Sequence, residues 1–142
     1  MLKYRLLHPE ILGALGEAGH GARILIADGN YPISTGSPHA ARRVSLNLAP
    51  DLLRVTDVLE VIVDAVPIEA AHTMRPDEGA EPPVFAEFRR LLPGLDVEPL
   101  GRFDFYDAAR GPDVALAIAT GERRIYANIL LTIGVVPPPP EA

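Results

Sequence analysis

The chain contains no cysteine. That excludes a disulfide framework and any thiolate metal site. It is also short of positive charge, with 13 Lys and Arg against 19 Asp and Glu, a net charge of -6 and a pI near 5.1. This balance argues against a general nucleic-acid surface or an anionic membrane as partner. No apolar run approaches the length of a membrane span,. The only apolar stretch near the start, Leu6-Leu7 between Met1-Leu2-Lys3-Tyr4-Arg5 and His8-Pro9, is too short for a signal peptide,. Internal repeats, heptads and glycine-rich phosphate loops are missing too,. The expectation is a soluble, cytoplasmic protein with no nucleic-acid or membrane partner.

What is present fits one compact domain. The length of 142 residues suits a single unit, and 48% apolar residues suffice for a core,. The slightly positive mean hydropathy, +0.15, is high for a small monomer and hints at apolar surface buried between subunits,.

Periodicity organises the rest. A helix is expected from Pro9 to about Glu17, with proline in its first turn and Ile11, Leu12 and Leu15 on one face,. The apolar run Arg23–Ala27 reads as a buried strand,. Residues 29–38 are rich in turn formers and read as a loop,. Alternation over 43–48 predicts a half-buried strand, and Pro50-Asp51 is read as opening a helix that carries Leu52, Leu53, Leu59 and Ile62,. Further strands are expected at 68–73, 97–100, 114–119 and 129–133, with helices at about 83–91 and 103–109 and a polar loop at 75–83. Alternating helices and strands predict an α/β domain over residues 1–136: three layers, a central sheet flanked by helices. Pro137-Pro138-Pro139-Pro140 cannot join a helix or central strand, so residues 137–142 are expected to form an extended, mobile tail,.

Two segments concentrate chemistry-bearing residues. In Gly19-His20-Gly21, followed by Arg23–Ala27 and Asp28, a histidine and a carboxylate flank one strand and are read as projecting toward one edge of a sheet. Near the far end, Thr120-Gly121-Glu122 precedes Tyr126-Ala127-Asn128-Ile129-Leu130-Leu131, where strand alternation would turn Tyr126 and Asn128 to one face,. By residue type, His20 suits proton transfer, since the unperturbed histidine pKa is about 6.5. Asp28 can accept from two hydroxyls, Arg102 offers a multi-donor fork, and Tyr106 can stack or donate,. Each also has a plain structural role open to it: a junction histidine, a turn aspartate, a surface arginine, a packing tyrosine. Of the remaining histidines, His8 reads as a cap, His39 as exposed, and His72 as a strand residue; the four lack a spacing that argues for metal,.

Together with His8-Pro9-Glu10-Ile11-Leu12 and Arg102-Phe103-Asp104-Phe105-Tyr106, these segments resemble the D-ribose pyranase / L-fucose mutarotase family of sugar-anomer isomerases, from Leu7 to Val136. The resemblance implies an α/β fold with helices on both faces, no cofactor and no metal, and a monosaccharide substrate. It implies His20 as catalytic proton donor, with Asp28, Arg102, Tyr126, Ala127 and Asn128 binding sugar; Tyr106 is a further candidate. Arg102 matches fucose-type members, whereas Ala127 and Ile68-Glu69-Ala70-Ala71 look ribose-like. One departure is a longer spacing from Arg102 to Tyr126, with Gly111-Pro112 as the insertion point. Members form rings, often decamers, with sites near subunit contacts, so Tyr126 and Asn128 are candidates to complete a neighbour's pocket. The leading expectation is a cofactor-independent L-fucose-like mutarotase; the alternatives are a D-ribose pyranase or a non-catalytic sugar-binding accessory protein of uptake.

Overall fold

A computed structural model describes residues 1–141; residue 142, the last of the expected tail, lies outside the described residues. In chain order the elements are α1 (Pro9–Glu17), β1 (Arg23–Ala27), β2 (Arg42–Ser45), α2 (Val55–Ala65), β3 (Ile68–Met74), α3 (Val84–Leu91), β4 (Val97–Leu100), α4 (Arg102–Ala109), β5 (Val114–Ala119) and β6 (Ile129–Ile133). The strands form one sheet in the order β2-β5-β1-β6-β3-β4. β1 is parallel to β5 and antiparallel to β6, and β6 is antiparallel to β3. β2 lies parallel to β5 and β4 parallel to β3. Every strand but β6 therefore runs in one direction.

Side-chain alternation splits the core into two layers. Ile24 and Ile26 of β1, with Leu116, Ile118, Ile129 and Leu131, pack against buried residues of α1, α2 and α3. Leu25 and Ala27, with Ala117 and Leu130, face Phe105 and Ala109 of α4 and Tyr31 of the 28–41 loop. Helices thus cover both faces, as in the expected three-layer α/β domain.

The helix starts follow from local chemistry. Pro9 sits in the first turn of α1, and the Ile11 N–H donates to His8 Nδ1 at 3.4 Å, so His8 is the cap read from sequence. α2 differs from expectation. It begins at Val55, not at Pro50, and β2 stops at Ser45. Between them the chain makes a tight excursion: Ala49 bridges Leu52, Leu48 N–H donates to Leu52 O at 2.9 Å, and Asp51 takes φ 65°. Leu52 and Leu53, read as helix-face residues, are exposed at its rim. The helix can begin only where its orphan N–H groups find acceptors. Those acceptors are Asp57, which takes the Arg54 N–H at 2.9 Å, and Glu122, which takes the Val55 N–H at 3.3 Å.

Glu122 is almost fully buried and joins several elements. It accepts from Arg124 Nε and Nη2, both at 2.9 Å, and from the Arg124 backbone N–H at 3.2 Å. Arg124 also pairs with Glu87 of α3. Burial pushes the Glu122 carboxyl up, but the hydrogen bonds from Arg124 and Val55 outweigh it and hold it below its ordinary range,. Gly121 beside it admits no side chain, since a Cβ would lie 2.3 Å from Ala49 O. Glu122→Ala is expected to cost about 3 kcal/mol, the low end for breaking a buried pair because Arg124 keeps Glu87. Urea denaturation at neutral pH reads this loss. The wild-type advantage should hold above the ordinary glutamate pKa and disappear as pH falls through the lower folded-state value.

Candidate functional site

A cavity of about 290 Å³ opens where β1 and β3 end and β6 begins. Asp28, Arg102, Tyr106, Tyr126 and Asn128 all line it, in one chain. Larger hollows exist, such as one of about 530 Å³ between the N-terminal segment and α2, but leucine, isoleucine and valine dominate that lining. In the smaller cavity polar groups from three separate segments converge beside tyrosine rings, which is the mark of a specific ligand site,.

Its base is a reciprocal pair. The Asp28 backbone N–H donates to Asn128 Oδ1 at 2.7 Å, and Asn128 Nδ2 donates to Asp28 Oδ2 at 3.2 Å. Asp28 Oδ1 accepts from the Asn30 N–H at 3.0 Å. Burial pushes the Asp28 carboxyl above its ordinary value, opposed by hydrogen bonds from the backbone of Asn30, Tyr31 and Ala127 and from the Asn128 side chain,.

The walls come from α4 and the 125–128 segment. Arg102 opens α4, and among the described residues it makes no hydrogen bond or ion pair. Its guanidinium carbon lies 5.7 Å from the Phe103 ring centroid and 5.9 Å from that of Tyr106. Its donors are therefore free for a ligand. Tyr126 has φ 60°, a conformation costly for a side chain of its size,. It sits in the connection ahead of β6, so the expected strand alternation is not what brings it beside Asn128. The turn does so instead, tied to the core through Arg124 on one side and Asn128 on the other. Ala127 between them is fully buried, its side chain packed in the helix-covered core, so a sugar contact at this position falls to its backbone.

The placement of His20 relative to Asp28 differs from expectation. His20 lies before β1 while Asp28 follows it, and a five-residue strand spans roughly 16 Å,. The two groups stand at opposite ends of the sheet rather than along one edge. At its own end His20 is exposed, and its Nε2 contacts both carboxylate oxygens of Glu69, at 3.0 and 2.9 Å. Gly21, at φ 86°, turns the chain there, and a Cβ on Gly134 would press within 3.3 Å of the Glu69 Cβ. His72 lies on β3 below the cavity, 3.7 Å from Glu98, and does not line it.

The sequence reading missed several members of this arrangement. Asn30, Tyr31, Met74 and Ile125 line the cavity, and Glu69 partners His20. Asn30 and Tyr31 fall in the loop after β1, where position alone could have flagged them. Met74 and Glu69, both on β3, carry no local signal, since only the sheet order brings them in, whereas Ile125 is the immediate neighbour of Tyr126.

A model of the RbsD / FucU transport protein family matches residues 1–136. Fucose mutarotase from Danio rerio is 29% identical over 146 residues, covering 94% of this chain and 92% of its own. D-ribose pyranase from Streptomyces avermitilis is 32% identical over 135 residues, covering 95% and 98%. Among solved structures, Bacillus subtilis RbsD complexed with D-ribose aligns with a TM-score of 0.83 at 25% identity, covering 96% of this chain and 99% of that one. Fucose mutarotase in complex with L-fucose from Streptococcus pneumoniae aligns with a TM-score of 0.80 at 28% identity, covering 95% and 99%.

The raised Asp28 pKa has a definite sign in stability. A carboxyl that holds its proton more tightly when folded contributes most below its unfolded pKa, and that contribution is lost as pH rises through the folded value. Asp28→Asn should therefore gain stability relative to wild type as pH rises from the ordinary aspartate pKa through the raised folded-state value, and the gain should level off above it,. Paired urea titrations from below the ordinary aspartate pKa to neutral pH check this; an Asn advantage that is constant or shrinks over that whole range would contradict it.

Proposed function

The chain belongs to the RbsD / FucU family, and from that premise we propose that it is a monosaccharide isomerase that interconverts sugar anomers by opening and reclosing the ring. The observation that carries this is the convergence of Asp28, Asn128, Tyr126, Tyr106 and Arg102 on one small cavity. A carboxylate and an amide suit vicinal hydroxyls, a free guanidinium suits hydroxyl and ring oxygens, and tyrosine rings suit the apolar face of a sugar.

The reaction requires two proton transfers and no electron transfer. An acid protonates the ring oxygen while a base removes the anomeric hydroxyl proton, and the bond between the anomeric carbon and the ring oxygen breaks to give the open-chain aldehyde. Rotation about the C1–C2 bond presents the other carbonyl face. Reclosure returns both protons. His20 is the proposed acid: Glu69 holds its Nε2, which leaves Nδ1 to carry a proton to the sugar. Since β1 separates His20 from Asp28 of the same chain, a second copy supplies His20 to each cavity. The assembly is then a homo-oligomer, a ring and in the fullest form a decamer, working in the cytoplasm. This revises the idea that Tyr126 and Asn128 are the borrowed residues, because they line the same cavity as Asp28 and Arg102.

Arg102 favours a fucose-like sugar. Pyranose–furanose exchange of D-ribose passes through the same kind of open-chain aldehyde, and it is the second reading because a D-ribose pyranase stands among the relatives at 32% identity.

Exchange NMR with L-fucose and D-ribose side by side tests the proposal. His20→Ala should slow anomer exchange by about 10²–10⁴-fold while keeping sugar binding. Asp28→Asn should weaken binding. At a sugar concentration too low for Asp28→Asn sites to fill, mixed assemblies of the two variants should recover about a quarter of the activity, since random assembly pairs an intact Asp28 with a neighbour's intact His20 at that frequency. Full exchange in His20→Ala would refute the acid role; binding with no exchange in the unsubstituted protein would leave an accessory sugar binder. Lack of recovery on mixing would place both groups in one chain's site.

A further inference from the structure

Helix α4 carries more of the cavity than its lining residues. Arg102, Tyr106 and Arg110 follow one another at four-residue spacing, one above the next on a single helix face,. The guanidinium carbon of Arg102 is 5.9 Å from the Tyr106 ring centroid, and that of Arg110 is 5.6 Å from it. One ring thus sits between two cations, both within cation–π range. Arg110 does not line the cavity, and among the described residues it makes no ion pair.

The two arginines are not equivalent. Arg102 lies at the helix N-terminus, where the helix dipole opposes a positive charge, and Arg110 lies at the C-cap, where the dipole favours it,. Arg110 is also fixed through its backbone. Its N–H donates to Tyr106 O at 3.1 Å, and the next residue, Gly111, donates to Ala108 O at 3.0 Å. A Cβ at Gly111 would meet that same oxygen at 3.0 Å, so the tight turn after Arg110 leaves little room for a side chain there. Tyr106 is backed by Tyr31, whose ring centroid is 5.4 Å away. Tyr31 in turn is anchored by donating its hydroxyl to Gly36 O at 2.7 Å. Arg102 has no such support and rests on the rings of Phe103 and Tyr106 alone.

We propose that Arg110 is a positioning residue for sugar binding: it fixes the Tyr106 ring from the helix C-terminus, and the ring holds the Arg102 guanidinium over the cavity. The inference rests on the sugar-binding reading of that cavity.

The test is sugar affinity by NMR titration with L-fucose, together with anomer-exchange kinetics and the ring resonances of Tyr106 in the sugar-free protein. Arg110→Ala should shift the Tyr106 ring resonances and weaken binding about two- to five-fold, the scale of one exposed cation–π contact. KM should rise with it, and kcat should change less. Arg110→Lys, which keeps the cation, should recover at least half of the loss. In a Tyr106→Leu background, Arg110→Ala should cost nothing further. Unchanged affinity in Arg110→Ala, an equal loss in the Tyr106→Leu background, or an altered oligomeric state by light scattering would overturn the proposal while leaving the sugar reading intact. No binding of L-fucose or D-ribose by the unsubstituted protein would overturn both.

Discussion

The reciprocal hydrogen bonds between Asp28 and Asn128 fix the geometry on which the cavity depends. They join residues one hundred positions apart, at the end of β1 and the start of β6, where two antiparallel neighbours meet in the middle of the sheet. Each residue gives one bond and takes one, so neither can turn away without leaving a buried polar group unpaired. With Asp28 fixed, its other oxygen orders the loop after β1 through Asn30. With Asn128 fixed, Tyr126 two residues earlier has little choice of path and adopts its left-handed turn. Two walls of the cavity follow from one pair.

The same sheet that builds the cavity keeps His20 out of it. A strand is a stiff spacer, and no side chain of this chain bridges the length of β1. The His20–Glu69 pair is also a poor candidate for a purely stabilising role, since exposed ion pairs contribute at most about 1 kcal/mol and often nothing,. An exposed histidine is held at one end of the sheet and a cavity with free donors lies at the other, which is the separation the proposed shared site answers. Beside the cavity, Phe103, next to Arg102, is 73% exposed and Ile125, on its lining, is 66% exposed.

The legible parts of the fold were those set by local pattern. Uninterrupted apolar runs marked β1, β5 and β6, and proline followed by an apolar face marked α1. The segment 46–54 misled because Pro50-Asp51 ahead of leucines has the look of a helix start, while the true start waits for Glu122, sixty-seven residues away, to accept the Val55 N–H. No local pattern carries that information. The candidate residues were legible for the same reason as their limits: Asp28, Arg102, Tyr106, Tyr126 and Asn128 stand in recognisable segments, but their meeting depends on sheet order. Sequence proximity drew His20 and Asp28 together, and the strand between them sets them apart. Ala127 stands in the same segment as Tyr126 and Asn128, with its methyl group turned to the core.

Two buried carboxyls show how the chain divides its work between folding and chemistry. Glu122 and Asp28 are both nearly inaccessible, 1% and 4% exposed. Glu122 is met by a guanidinium and two N–H groups, so its charge is stabilised and it serves as a permanent anion that knits α2, α3 and the 120–124 connection. Asp28 is met by an amide and backbone N–H groups alone, with no cation close enough to offset its burial, and its carboxyl is held up. A carboxyl held up in this way is a weaker contributor to the fold at neutral pH, and perturbed carboxyls of this kind gather at functional sites,. Placing an arginine beside Asp28 would have made a more stable protein with a less usable carboxylate. Arg102 lines the same cavity without pairing with Asp28, so it does not offset the effect of burial on that carboxyl.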